Sequence, residues 1–93
     1  MVEYIVLEGN MTLSADSLQI KAVTHSMEDA VSLILKNHEI PEQDILAGVK
    51  VCEAYDKSCA IRDILTRELC TNRQTQGYSV NYAIQEVDGG QWN

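Results

Sequence analysis

Three cysteines and two histidines are the side chains best suited to nucleophilic, redox or metal chemistry: Cys52, Cys59, Cys70, His25 and His38. The cysteine count is odd, and no two stand at Cys-x-x-Cys spacing. A secreted disulfide scaffold shows an even and denser set. The thiols are therefore read as reduced, and the compartment as cytoplasmic. Structural zinc needs about four ligands in tight pairs. The histidines lie 13 positions apart, and neither pairs locally with a cysteine. If Cys52 ends a strand and Cys59 opens a helix, the two thiols can approach as a redox pair. The simpler expectation treats all three as small buried hydrophobes.

A Cys–His nucleophile pair can be drawn only formally. His25 is the better base, because it stands at a strand-to-helix junction, where function concentrates. Its plainer role is to precede a helix cap, and His38 stands near a helix end, where a cation is mildly favoured. Paired carboxylates for acid–base work would be Glu28 with Asp29, or Glu42 with Asp44. Acids at a helix start serve the dipole, and acids beside a proline are solvated loop. No glycine-rich phosphate cradle exists, since the five glycines form neither G-x-G-x-x-G nor G-x-x-x-x-G-K. Tyr78 and Tyr82 share a strand face without basic neighbours, which does not suit stacking on nucleic acid. Arg62, Arg67 and Arg73 are interleaved with Asp63 and Glu68, as on a solvated helix face. No residue is assigned as catalytic, cofactor-binding or metal-ligating. The expectation is a protein that is no enzyme and carries no cofactor.

The elements that hold these residues follow from hydrophobic period. A first strand, Val2 to Glu8, is apolar on both faces and should be central in its sheet. Gly9-Asn10 supplies a turn, because both tolerate positive φ. A second strand, Leu18 to Thr24, alternates Leu18, Ile20 and Ala22 inward with Gln19 and Lys21 outward. Ser26 caps a helix whose stripe is Met27, Ala30, Val31, Ile34 and Leu35. Asn37-His38 ends it before Pro41. A third strand is expected within Ile45 to Ala54. Asp56 or Ser58 then caps a second helix, about Ser58 to Thr71, with Ala60, Ile61, Ile64, Leu65 and Leu69 on its stripe. Asp63 and Arg67 are four apart in the favourable order. The last strand is Tyr78 to Glu86.

The expected fold is α+β: a two-layer sandwich in ββαβαβ order, with a four-stranded, mostly antiparallel sheet and two helices on one face. A short helix within Thr12 to Ser17 would leave the ferredoxin-like βαββαβ order open. Residues 1–87 make one domain, and 88–93 a flexible tail. The open sheet face should present Gln19, Lys21, Lys50, Ser79, Asn81 and Gln85, with Glu3, Ile5 and Leu7 from the first strand. A homodimer is one way to cover that apolar strip, because small domains bury a small share of their surface alone.

The chain of 93 residues carries 14 acids and 7 bases, a net charge of −7, with 45% hydrophobic residues. Duplex binding needs clustered Lys and Arg, so direct nucleic-acid contact is not expected. No apolar run is long enough for a membrane span, and no signal peptide opens the chain. The charge is uneven. Residues 1–46 carry eight acids and two bases, a net −6, while residues 47–93 carry −1. Solubility accounts for such a charge. Complementarity to a basic protein partner accounts for its placement. The residues assigned to such a partner are Glu28, Asp29, Glu39, Glu42 and Asp44, together with Trp92, the only tryptophan.

The leading expectation is a small acidic, non-enzymatic protein-interaction module, acting as a stoichiometric inhibitor or regulator of a basic, nucleic-acid-handling partner. Phage and mobile-element proteins that inhibit host defences, anti-CRISPR proteins among them, look like this in size, charge and lack of catalytic motifs. The likeness is one of class and rests on no motif. A dimeric small-ligand-binding regulatory domain, with its ligand near His25, is the alternative. A cysteine-dependent enzyme is the third reading.

Overall fold

A computed structural model describes residues 2–49 and 56–88. Three strands, β1 (Val2–Gly9), β2 (Gln19–Thr24) and β3 (Asn81–Asp88), form one antiparallel sheet in the order β2-β1-β3. Two main helices, α1 (Met27–Asn37) and α3 (Lys57–Asn72), and a short α2 (Glu42–Ile45) complete the α+β fold. The strand that is apolar on both faces is the central one, as expected.

Among the described residues the sheet has three strands where the sequence suggests four. Residues 45–49, whose alternation predicts the start of a third strand, close a helical turn instead. The Pro41 carbonyl accepts from the N–H groups of Asp44 and Ile45, and the Glu42 carbonyl from that of Leu46. Proline at the start and two acids in the first turn favour a helix there. Gly48 then takes a left-handed φ of 75°. The alternation of Ile45, Ala47, Val49 and Val51 predicts a strand, but its first residue, Ile45, is buried from the helix instead. The rest of that expected strand, 50–54, lies outside the described residues, as do Cys52 and residues 89–93 of the expected tail, with Trp92, whereas Asp88 still belongs to β3.

Both main helices begin as their sequences dictate. The Ser26 side chain accepts from the Asp29 N–H at 3.0 Å. Asp56 Oδ1 accepts from the Ser58 N–H at 2.9 Å. Helix α1 buries Ala30, Val31 and Ile34, and α3 buries Ala60, Leu65 and Leu69. All of these but Ala60 join Val6, Ile40, Ile45, Tyr82 and Ile84 in the core between sheet and helices. Helix α3 ends on Arg73, a left-handed residue (φ 60°) whose N–H bonds the Leu69 carbonyl. The Arg73 carbonyl in turn accepts from Ile84, so the end of α3 is fastened to β3.

Strand β2 breaks the expected alternation. Its register against β1 slips between Val6 and Leu7: Val6 faces Ala22, but Leu7 faces Ile20. Lys21 is the extra residue of this bulge. Ala22 packs on the core, while Ile20, expected inside, is 66% exposed. Lys21, expected on the open face, reaches Glu8 instead. The open face is therefore more apolar than foreseen. Ile20 and Val23 (47% exposed) flank Ile5, which is buried at 6%. Asn81 and Ser79, also assigned to that face, are used internally.

Asn81 is fully buried. Its amide donates to the carbonyls of Tyr78 (2.7 Å), Asn10 (3.2 Å) and Met11 (3.2 Å). Its Oδ1 accepts from the Thr75 hydroxyl at 2.9 Å. One side chain thus ties the β1–β2 loop to the segment preceding β3. The loop itself is built on Asn10, whose Oδ1 accepts from the N–H groups of Thr12 and Ser14. Leu13 takes the positive φ there, not Gly9 or Asn10 as expected. Gly9 remains in the strand and is needed for space: a Cβ on it would lie 2.9 Å from Leu18 Cδ2 and 3.0 Å from Leu13 Cδ2. The helix suggested within Thr12 to Ser17 is only a 3-10 turn, Ala15–Ser17, so the order stays ββα at its start.

Candidate functional site

Glu8 stands on the strand face that also carries Tyr4 and Val6, so its carboxylate points toward the helices. Directly across the ladder is Tyr82. The Tyr82 hydroxyl donates to Glu8 Oε2 at 2.8 Å and accepts from the Glu39 N–H at 2.9 Å. Lys21, swung inward by the bulge, leaves its Nζ 3.7 Å from Glu8 Oε1. The Lys21 side chain is 43% exposed and that of Glu8 20%, so this is a loose, partly solvated pair of small energetic weight.

These groups rim a cavity of about 290 Å³ whose floor is Val6, Leu33 and Ile34 and whose mouth includes Asn37 and Glu39. The cavity meets the C-terminal end of α1. The aligned carbonyls of its last turn give the helix its negative pole, which favours a cation. Two carboxylates and one ammonium leave the rim net negative. A fixed carboxylate, a negative helix end and an apolar floor suit a positively charged group on an aliphatic stem.

Burial, and then the hydrogen bond to Glu8, push the Tyr82 phenol up to about 12. Tyr78 is raised in the same direction, by burial first and then by its bond to Glu68. A phenol raised above its unfolded value of about 10 stabilises the fold below pH 10. That stabilisation is lost as pH rises from 10 through the folded value. Thermal unfolding followed from pH 9 to 12 should show melting falling above pH 10, with a shallower fall in Tyr82→Phe. An equal slope in the variant would remove Tyr82 as the cause.

The residues named from sequence occupy separate places. Glu28 and Asp29 open α1, while Glu39 and Glu42 lie beyond its other end. The nine-residue rise from Glu28 to Asn37 puts about 14 Å between these ends. Asp44 is spoken for: its Oδ2 accepts from the Ser79 hydroxyl at 3.0 Å and fastens α2 to the loop before β3. Of the described members of the set, Glu39 alone joins the cavity. Glu8, Lys21 and Tyr82 were missed, although an acid at an inward strand position was a readable signal.

His25 is exposed at the bend between β2 and α1. His38 caps the end of α1, and its Nδ1 accepts from the Ile40 N–H at 3.2 Å. Burial lowers the His38 imidazole below its ordinary value, consistent with a neutral ring accepting that bond. Cys59 and Cys70 are exposed, not buried as expected. They stand eleven residues apart on α3, about 16 Å along its axis, too far to pair within the chain. Cys70 edges a shallow apolar groove against Met27, Val31 and Leu35 of α1.

Comparison with known protein families, with curated proteins and with solved structures finds no match. Among the described residues, no three His, Cys, Asp or Glu side chains gather in a way that could hold a metal ion. No helix among them is long and apolar enough to cross a membrane.

Proposed function

We propose that this protein is a non-enzymatic interaction module that binds a basic protein partner stoichiometrically, as a small inhibitor or regulator of a nucleic-acid-handling protein would. The observation that carries this reading is the Glu8 carboxylate, held in place by Tyr82 beside Glu39 at the negative end of α1. A carboxylate already oriented loses little freedom on binding, so more of its attraction appears as affinity. The excess acid of residues 1–46 adds a long-range field that speeds encounter with a basic surface. Such a surface on a nucleic-acid-handling protein is the one its nucleic acid needs, so occupation excludes the nucleic acid.

Charge reversal tests this. Immobilised protein and a Glu39→Lys/Glu42→Lys variant are exposed to host extract at about 50 mM and 300 mM salt, where the Debye length falls from roughly 14 to 6 Å. The expected result is one nucleic-acid-handling protein, held in equimolar amount at low salt, released at high salt and not held by the variant. Retention that ignores both salt and charge reversal, or no retention at all, overturns the reading.

A further inference from the structure

We propose that the cavity at the end of α1 receives a single arginine side chain of the basic partner, which deepens the reading above and rests on it. The shape comes first. About 290 Å³ lies just below the range typical of drug-sized ligands and suits one long side chain. Leu33, Ile34 and Val6 give its floor an apolar surface for the methylene stem, as long cationic side chains require. The charged end then meets Glu8 and Glu39 at the rim.

The hydrogen-bonding state of Glu8 selects the head group. Tyr82 occupies Oε2 and fixes the carboxylate plane. Among the described residues Oε1 is approached only by Lys21, at a separation too long for a hydrogen bond. That oxygen therefore keeps its capacity to accept. A guanidinium presents several N–H groups in one rigid plane and can bond Glu8 and the Glu39 carboxylate together. An ammonium is compact and strongly hydrated, and the one already present stays loose. Lys21 guards the site against lysine but yields to arginine, since its own side chain can swing into water.

The negative pole of α1 contributes independently of the side chains. Asn37 and Ile34 belong to its last turn and line the cavity. A cation placed there is stabilised in any protonation state of the acids around it.

Titration of the whole protein with acetyl-Gly-Arg-Gly-amide and its lysine counterpart, followed by amide NMR at low salt, tests the proposal. Shifts should centre on Glu8, Leu33, Asn37, Glu39 and Tyr82, with the arginine peptide bound more tightly. Glu8→Gln should weaken it about tenfold. Lys21→Met should tighten it about twofold, since a competing cation is gone. Shifts centred on Glu28 and Asp29, or unchanged affinity in Glu8→Gln, overturn the cavity while the acidic reading stands. Equal affinity for lysine overturns the choice of arginine. Binding of neither peptide counts against both readings, and the capture experiment above then decides the broader one. If Glu8→Gln does not fold, Lys21→Met decides: unchanged or weaker binding overturns the proposal.

Discussion

Asn81→Ala should lower unfolding free energy by about 3 kcal/mol, read as a lower urea midpoint at unchanged slope. The substitution strands the Thr75 hydroxyl and the Tyr78 carbonyl in a buried place and frees the carbonyls of Asn10 and Met11. The last two belong to an exposed loop and can find water, which keeps the loss below the sum of four unmet groups. Asn81→Asp keeps the volume but replaces the donor with an acceptor facing three carbonyls. It should be at least as damaging at pH 7 and milder near pH 4, where a protonated acid donates again. A loss under about 1 kcal/mol for the alanine variant would mean that water takes over the whole network.

Leu69→Ala should be of similar size, about 3 kcal/mol, within the usual range for emptying a closed core position. Leu69 is completely buried one turn before the end of α3, in the same cluster as Val6, Ile34, Tyr82 and Ile84. A domain of this length holds roughly 5–14 kcal/mol in total. Either change thus removes a large part of its stability. Thr71→Ala, two residues on and exposed, is the control and should stay within about 0.5 kcal/mol. A loss no larger at Leu69 than at Thr71 would show that α3 is not docked through this residue.

Both predictions concern residues whose burial differs in how easily sequence reveals it. Leu69 lies on a helical stripe, and its burial follows from spacing alone. Asn81 alternates with Tyr82 along a strand and so reads as outward and wet. Its burial depends on the β1–β2 loop folding over the end of the sheet, a long-range event with no local trace. The helix starts at Ser26 and Asp56 were legible because capping is local. The central place of β1 was legible because both of its faces are apolar.

The failures have equally definite causes. Alternation in Ile45, Ala47 and Val49 imitates a strand, but Pro41 and the acids after it favour a helical turn at the same place. The alternation in β2 predicts an unbroken period, and nothing in Gln19-Ile20-Lys21-Ala22 announces a bulge. The candidate site suffered from the same limit. Acids were grouped by nearness in sequence, which put Glu28 and Asp29 with Glu39, Glu42 and Asp44. The fold groups Glu39 with Glu8, from the far end of another element, through a tyrosine hydroxyl.

The bulge at Lys21 links two surfaces that have no contact with each other. One extra residue in β2 turns a lysine inward over the cavity and, in the same half-turn, puts Ile20 out on the opposite face. Removal of Lys21 would restore an even pleat and withdraw the ammonium from Glu8, yet leave Ile20 opposite Leu7 and Val23 opposite Ile5, so gatekeeping on one side of the sheet can be lost while the apolar strip on the other stays in place.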